Sequence, residues 1–294
     1  MSTTVYREFD QAALDAQYNI LGMIPGYQEV YDRWHAASAK TMQAATAKGQ
    51  VSYHYGPFPA QDLDLFRTEA AQGPLVIFIH GGYWRSQDKS WFSHVAEPYC
   101  ARGCNVAVIN YRLTPRVTMD QIVDDVRACT VWLSTHAQEL GFDADRIFVA
   151  GSSAGGHLTA ALLATPWADL GVRADIVKGG CALSGLYDLE PIRLCFLNQV
   201  VGLDEATARR QSPQHHVPKT AAPLILSVGG IESPEFHRQQ DAYEQAWRAQ
   251  GLACSVVVQD GGHHFDMIDR WSDENHPLFQ AFMQMIDSHA AVAR

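Results

Sequence analysis

Three short stretches carry residues whose types and spacing suit nucleophilic chemistry. "FVAGSSAGGHL" (148–158) sets two serines among small residues. "VIFIHGGYW" (76–84) ends an apolar run in a histidine and two glycines, and "VVVQDGGHHFDM" (256–267) ends another in two histidines. A serine hydroxyl is a weak nucleophile at neutral pH. It needs a base within hydrogen-bond reach and a third group to orient that base. On a sharp strand-to-helix turn the serine backbone is strained and the hydroxyl projects clear of the sheet. The residues two before and two after must then be small, because side chains there would collide with neighbouring chain. Ser153 has Gly151 and Gly155 at those places, whereas Ser152 has Ala150 and Ala154, a tighter fit. Ser153 is the expected nucleophile. The competing reading is a glycine-rich turn whose serines only cap the next helix.

In folds with such a turn the partners follow in the order Ser, acid, His. His263 and His264 come directly after an apolar run, and Gly261 and Gly262 allow a tight turn there. One histidine can face the serine while the other faces solvent. The acid should follow the preceding run, where "PLILSVGGIESPEFHRQQ" offers Glu232. Glu235 falls in the first helical turn, where a carboxylate commonly complements the dipole. Asp188, in "LSGLYDLEP", is the second candidate for the acid. Two glycines after His80 let N–H groups turn toward a ligand. An oxyanion could therefore be held by the N–H groups of Gly82 and Tyr83 with that of Ala154 after the nucleophile. Tyr83 and Trp84 could stack on an aromatic leaving group, and Arg112 could meet a substrate carboxylate. Core packing for Trp84 and a structural ion pair for Arg112 are the competing readings.

These residues need a scaffold that brings strand ends together. Short, nearly continuous apolar runs lie at 74–80, 105–111, 146–151, 177–185, 223–230 and 254–260, and "VSYHYG" at 51–56 reads as a further strand. Runs of that kind suit strands buried on both faces. Helical patterns lie between most of them. In the clearest, about 119–138, Met119, Ile122, Val123, Val126, Cys129 and Leu133 recur at helical spacing, with Thr118 and Gln121 at the capping-box offset. The alternation predicts an α/β fold, a mostly parallel central sheet flanked by helices. One domain is expected over 1–294, with a helical segment at about 10–48 and a small helical cap inserted at about 185–220.

Composition narrows the function classes. The 294 residues are 47% hydrophobic and carry a formal net charge of −10, without a basic run. Nucleic acid and anionic membranes are poor partners for such a chain. No apolar signal core and no apolar stretch of membrane-spanning length occur, so a cytoplasmic location is expected. The six cysteines lack CxxC spacing and read as buried free thiols. No HExxH motif occurs, and His215-His216 have no nearby carboxylates. Neither a metal nor another cofactor is expected. The expected partner is a small-molecule substrate, and a homodimer is compatible with the sequence.

"HGGYW", "NYRLTP", "GSSAGGHL", "LSGLYDLEPI", "ESPEFHRQ" and "HHFDM", in order over about 75–270, together resemble the kynurenine formamidase (arylformamidase) branch of the α/β-hydrolase superfamily, close to the esterases with an HGGG motif. The resemblance implies metal-free hydrolysis of an aryl formamide by a serine triad. It puts the nucleophile at Ser153, the acid at Glu232 and the base at His264. The acid in that branch is usually Asp, and its usual Gly-His before the nucleophile is Gly-Ser here. The alternative activity is a carboxylesterase for short acyl or aryl esters. A non-catalytic binding protein on the same fold would be expected to lack the nucleophile or the base, and here every position is filled.

Overall fold

The computed structural model describes residues 3–49, 51–70 and 72–292, with side chains to residue 289. A short antiparallel hairpin opens the chain, β1 (Thr4–Tyr6) and β2 (Phe9–Asp10). Eight further strands form one sheet among the described residues: β3 (Ser52–His54), β4 (Asp62–Phe66), β5 (Gly73–Ile79), β6 (Asn105–Ile109), β7 (Phe142–Ser152), β8 (Val177–Leu183), β9 (Leu224–Ser227) and β10 (Cys254–Val256). Their spatial order is β10-β9-β8-β7-β5-β6-β4-β3. β4 runs antiparallel to both β3 and β6, and the remaining pairs are parallel. This is the α/β fold that the alternation of runs predicts.

β5, β6 and β8 are buried at every residue, as strands covered on both faces must be. The helix Met119–Leu140 covers one face. Its capping box is present: the Thr118 hydroxyl accepts from the Gln121 N–H and the Gln121 side chain accepts from the Thr118 N–H. β4 is a strand that the apolar runs do not reveal, because "DLDLF" reads as a half-polar edge. Its Asp64 is nonetheless fully buried, with Lys89 Nζ at 2.6 Å and the Ser52 hydroxyl at 2.6 Å on Oδ1. A buried charge persists where it is paired in this way.

Helices Gln11–Tyr18, Ile20–Met23 and Tyr27–Thr46 precede the sheet. Helices Glu190–Leu194, Asn198–Val201 and Glu205–Arg210 lie between β8 and β9. All six cysteines are free thiols. Among the described residues no helix is long and apolar enough to cross a membrane.

Candidate active site

The parallel strands end on one side of the sheet, and the loops that follow β5, β7, β9 and β10 meet there. β7 ends at Ser152, and the helix Ala154–Leu163 begins one residue after Ser153. Ser153 has φ 59° and ψ −116°, a conformation seldom adopted by a residue with a side chain. Its N–H donates to the Leu183 carbonyl at 2.8 Å, which fixes the turn to β8. Close packing explains the flanking glycines. A Cβ on Gly155 would lie 1.9 Å from the Ile79 carbonyl oxygen, and one on Gly151 would lie 2.3 Å from the Gly155 carbonyl oxygen. Ser152 ends the strand and Ser153 sits on the turn itself.

The loop after β5 lies against this turn. A Cβ on Gly81 would be 3.0 Å from the Ser152 carbonyl oxygen and 3.2 Å from the Ser153 Cβ. Gly82, Tyr83 and Trp84 all have positive φ, at 92°, 50° and 56°. The loop is held from below: the Tyr111 hydroxyl donates to the carbonyls of His80 and Gly81, and the Thr114 N–H donates to that of Trp84. Among the described residues the N–H groups of Gly82, Tyr83 and Ala154 donate to no protein acceptor. Three free donors beside a serine make a setting for a negatively charged oxygen.

The two histidines after β10 part company. His263 turns to the next helix, where its Nδ1 accepts from the Asp266 N–H at 3.1 Å and its own N–H donates to the Asp266 carboxylate. His264 is buried, and its Nδ1 donates to Glu232 Oε2 at 2.5 Å. The ring packs edge-on against Phe236, centroids 4.9 Å apart. Glu232 is anchored in turn. Its Oε1 accepts from the Gly229 N–H at 2.7 Å and from the Ser184 hydroxyl. The loop carrying Glu232 is tied to the loop carrying His264, since the N–H of Gly230 donates to the Gln259 carbonyl and that of Ile231 to the Gly262 carbonyl. The carboxylate thus has one oxygen committed to its own loops and one left for the imidazole.

Asp188 lies away from this pair. Its Oδ2 accepts from the Tyr6 hydroxyl at 3.1 Å and faces Arg238 at 3.5 Å. Glu235 accepts from the Tyr18 hydroxyl and from Arg238, at 3.0 and 2.7 Å. Two of the expected substrate contacts are also occupied elsewhere. Trp84 is fully buried and its indole N–H donates to His157 Nδ1 at 3.2 Å, so it packs beneath the loop, outside the pocket. Arg112 makes a two-point ion pair with buried Asp125, Nε to Oδ2 at 2.8 Å and Nη2 to Oδ1 at 2.6 Å. Its guanidinium stacks over Phe58 and is spent on the fold. Tyr83 does line the pocket, with its hydroxyl donating to the Tyr18 carbonyl at 2.9 Å.

Ser153, His264, Gly82 and Tyr83 open into one pocket. Its remaining wall is largely apolar and aromatic, with Tyr31 and Trp34 from the helix Tyr27–Thr46, Phe196 from the segment between β8 and β9, and Phe265 next to His264. Residues 18–21, at the junction of the first two helices, cover one side. Sequence patterns do not single out these pocket-forming residues, because Tyr31 and Trp34 read as part of a helix face while Phe196 and Phe265 lie in turns outside any periodic pattern. Ser184 lies in the "LSGLYDLEPI" stretch but has no role assigned there; its contact with Glu232 marks it.

Known proteins resemble this chain in sequence and in fold. The family model BD-FAE matches residues 62–172. Kynurenine formamidase of Danio rerio is 31% identical over 79% of this chain and 80% of its own length. That of Drosophila melanogaster is 30% identical over 71% of this chain and 72% of its own length. Among solved structures, a candidate thioesterase from Silicibacter sp. TM1040 superposes with a TM-score of 0.80 at 29% identity, covering 91% of this chain and 97% of that one. Esterase B from Lactobacillus rhamnosis shares the fold at a TM-score of 0.67 and 22% identity, over 90% of this chain and 94% of that one. A serine on a strained strand-to-helix turn and relatives of this identity and coverage agree: the chain belongs to the kynurenine formamidase family of α/β-hydrolases.

Proposed function

We propose that this protein is a serine hydrolase that removes the formyl group from aryl formamides of the N-formylkynurenine type. The observation that carries the reading is Ser153 at φ 59°, opening into the same aromatic-lined pocket as a histidine held by a buried carboxylate. Ser153 acts as nucleophile, His264 as base and Glu232 as the group that orients it. His264 donates through Nδ1 to Glu232, which leaves Nε2 as the acceptor for the serine proton.

The serine oxygen attacks the formyl carbon and its proton passes to His264. The carbonyl oxygen becomes an oxyanion in reach of the N–H groups of Gly82, Tyr83 and Ala154. Those donors are fixed before reaction by the loop contacts below them, so they reorganise little as charge develops. His264 then protonates the departing arylamine. Water, activated by the same imidazole, releases formate from Ser153 and restores the enzyme. An aromatic wall suits an aryl leaving group, because edge and face contacts add to the burial of its surface.

A second reading, a carboxylesterase for short acyl or aryl esters, uses the same residues. Its support is the breadth of the relatives, which include LipM of Mycobacterium tuberculosis, a probable carboxylic ester hydrolase 30% identical over 63% of this chain. A side-by-side measurement of kcat/KM for N-formyl-L-kynurenine against 4-nitrophenyl acetate and butyrate, with Ser153→Ala as the blank, separates the two. Ester turnover with negligible formamide cleavage would leave only the second reading standing. We further propose that the chain works as one domain with its cap between β8 and β9, on a small-molecule substrate in the cytoplasm.

A further inference from the structure

Among the described residues that line the pocket, one is a permanent cation, Arg85, and none is a carboxylate. This is unexpected in a chain of net charge −10. Other cations near the site are neutralised by acids: Arg112 by Asp125, Lys89 by Asp62 and Asp64, Arg238 by Glu235 and Arg33 by Asp269. Arg85 is exposed at the pocket rim, and its side chain has neither an ion pair nor a hydrogen bond among the described residues. Only its backbone is engaged, by donation to the Gly82 carbonyl at 3.1 Å.

Its position follows from the loop. Left-handed backbone at Gly82, Tyr83 and Trp84 curls the chain, buries Trp84 and returns Arg85 to the rim. Burial raises the pKa of the Tyr83 phenol and that of the Cys195 thiol, the latter to about 12, and the charge of Arg85 opposes the rise at both. Arg85 lines the same pocket as Tyr83 and Phe196.

We propose that Arg85 is the specificity-determining residue of this pocket, selecting substrates whose leaving group carries a carboxylate. A guanidinium presents a planar fork of donors that matches a carboxylate at two points. A pocket without acids adds no repulsion, and the aromatic wall takes the ring to which the carboxylate is attached. Arg112, the cation that sequence position suggests for this role, is already paired; Arg85, three residues past Gly82, is free. The inference rests on the hydrolase reading above and narrows it to aryl substrates bearing an anion.

The test uses substrate pairs that differ by one carboxylate: 2-formamidobenzoate against formanilide, and 2-acetoxybenzoate against phenyl acetate. The quantity read is the ratio of kcat/KM, anionic over neutral, in the wild type, Arg85→Gln and Arg85→Lys. The ratio is expected to fall about ten-fold or more in Arg85→Gln, to be partly kept in Arg85→Lys, and to shrink in the wild type at high salt. An unchanged ratio in Arg85→Gln overturns the proposal, including the case in which both members of a pair fall together. The ester pair keeps the question separate from formamidase activity, since it reads Arg85 even in an enzyme that cleaves no formamide. Titration calorimetry of 2-formamidobenzoate and formanilide on Ser153→Ala and Ser153→Ala/Arg85→Gln reads the same preference without turnover; loss of the anion's advantage supports the proposal, and its persistence overturns it.

Discussion

The hydroxyl of Ser184 offers the sharpest test of how the proposed acid, Glu232, is held. Glu232 is buried, and its side chain has three donors: the Ser184 hydroxyl and the Gly229 N–H on Oε1, and His264 on Oε2. Ser184→Ala removes one of them. Ser184 has φ 45°, and serine and alanine meet similar backbone cost there, so the change isolates the hydroxyl. A hydrogen bond to a charged group is worth about 1.5–3 kcal/mol. All of that is expected as lost stability, seen as a Tm lower by several degrees. Activity loses the share that appears when Oε2 swings away from the imidazole. If the whole bond energy serves that orientation, kcat falls between about 10- and 100-fold. KM stays near the wild-type value, because Ser184 does not line the pocket. Thermal melts and steady-state kinetics on the preferred substrate measure both. A lower Tm with kcat within two-fold of wild type would refute the reasoning, and would mean that the Gly229 N–H alone fixes the carboxylate.

Three further outcomes follow from the contacts. Ser153→Ala is expected to abolish turnover while Ser152→Ala retains much of it; equal loss in both would displace the nucleophile assignment. Arg112→Gln leaves the buried Asp125 carboxylate without its ion pair and should destabilise the fold by roughly 3 kcal/mol in denaturant titrations, while the kcat of the folded variant stays close to wild type. His157 is fully buried as the neutral tautomer: its Nδ1 accepts from the Trp84 indole N–H, and its Nε2 donates to the Gln211 carbonyl at 2.7 Å. Burial lowers its pKa from 6.5 to about 4, so between those values the unfolded chain takes up a proton that the folded chain refuses. Stability should therefore fall as pH drops, by about 2 kcal/mol between pH 7 and 5 from this group, and His157→Gln should reduce that slope by a similar amount; an identical slope in denaturation curves at the two pH values would contradict it.

Much of this protein is legible in its sequence, and the reason is local. Val- and Ile-rich runs of strand length, bounded by glycines, fix where buried strands lie, and the Thr118–Gln121 offset fixes the start of the longest helix. Ser153 is readable because steric demands at a strained turn fall on Gly151 and Gly155, two residues away on either side. Loop order along the chain narrows the base to His263 or His264 and the acid to Glu232 or Asp188, and the family resemblance points to Glu232 and His264. Tertiary structure decides what depends on partners distant in sequence. β4 is a strand because Lys89 and Ser52 compensate Asp64, which its "DLDLF" pattern cannot announce. Of two adjacent histidines, His264 turns to Glu232 because Asp266 engages His263 in the next helix. Arg112 and Arg85 look equally available as letters. Only the packed chain supplies Asp125 to the first and leaves the second facing the pocket, because charge pairing is a property of positions in space and not of neighbours along the chain.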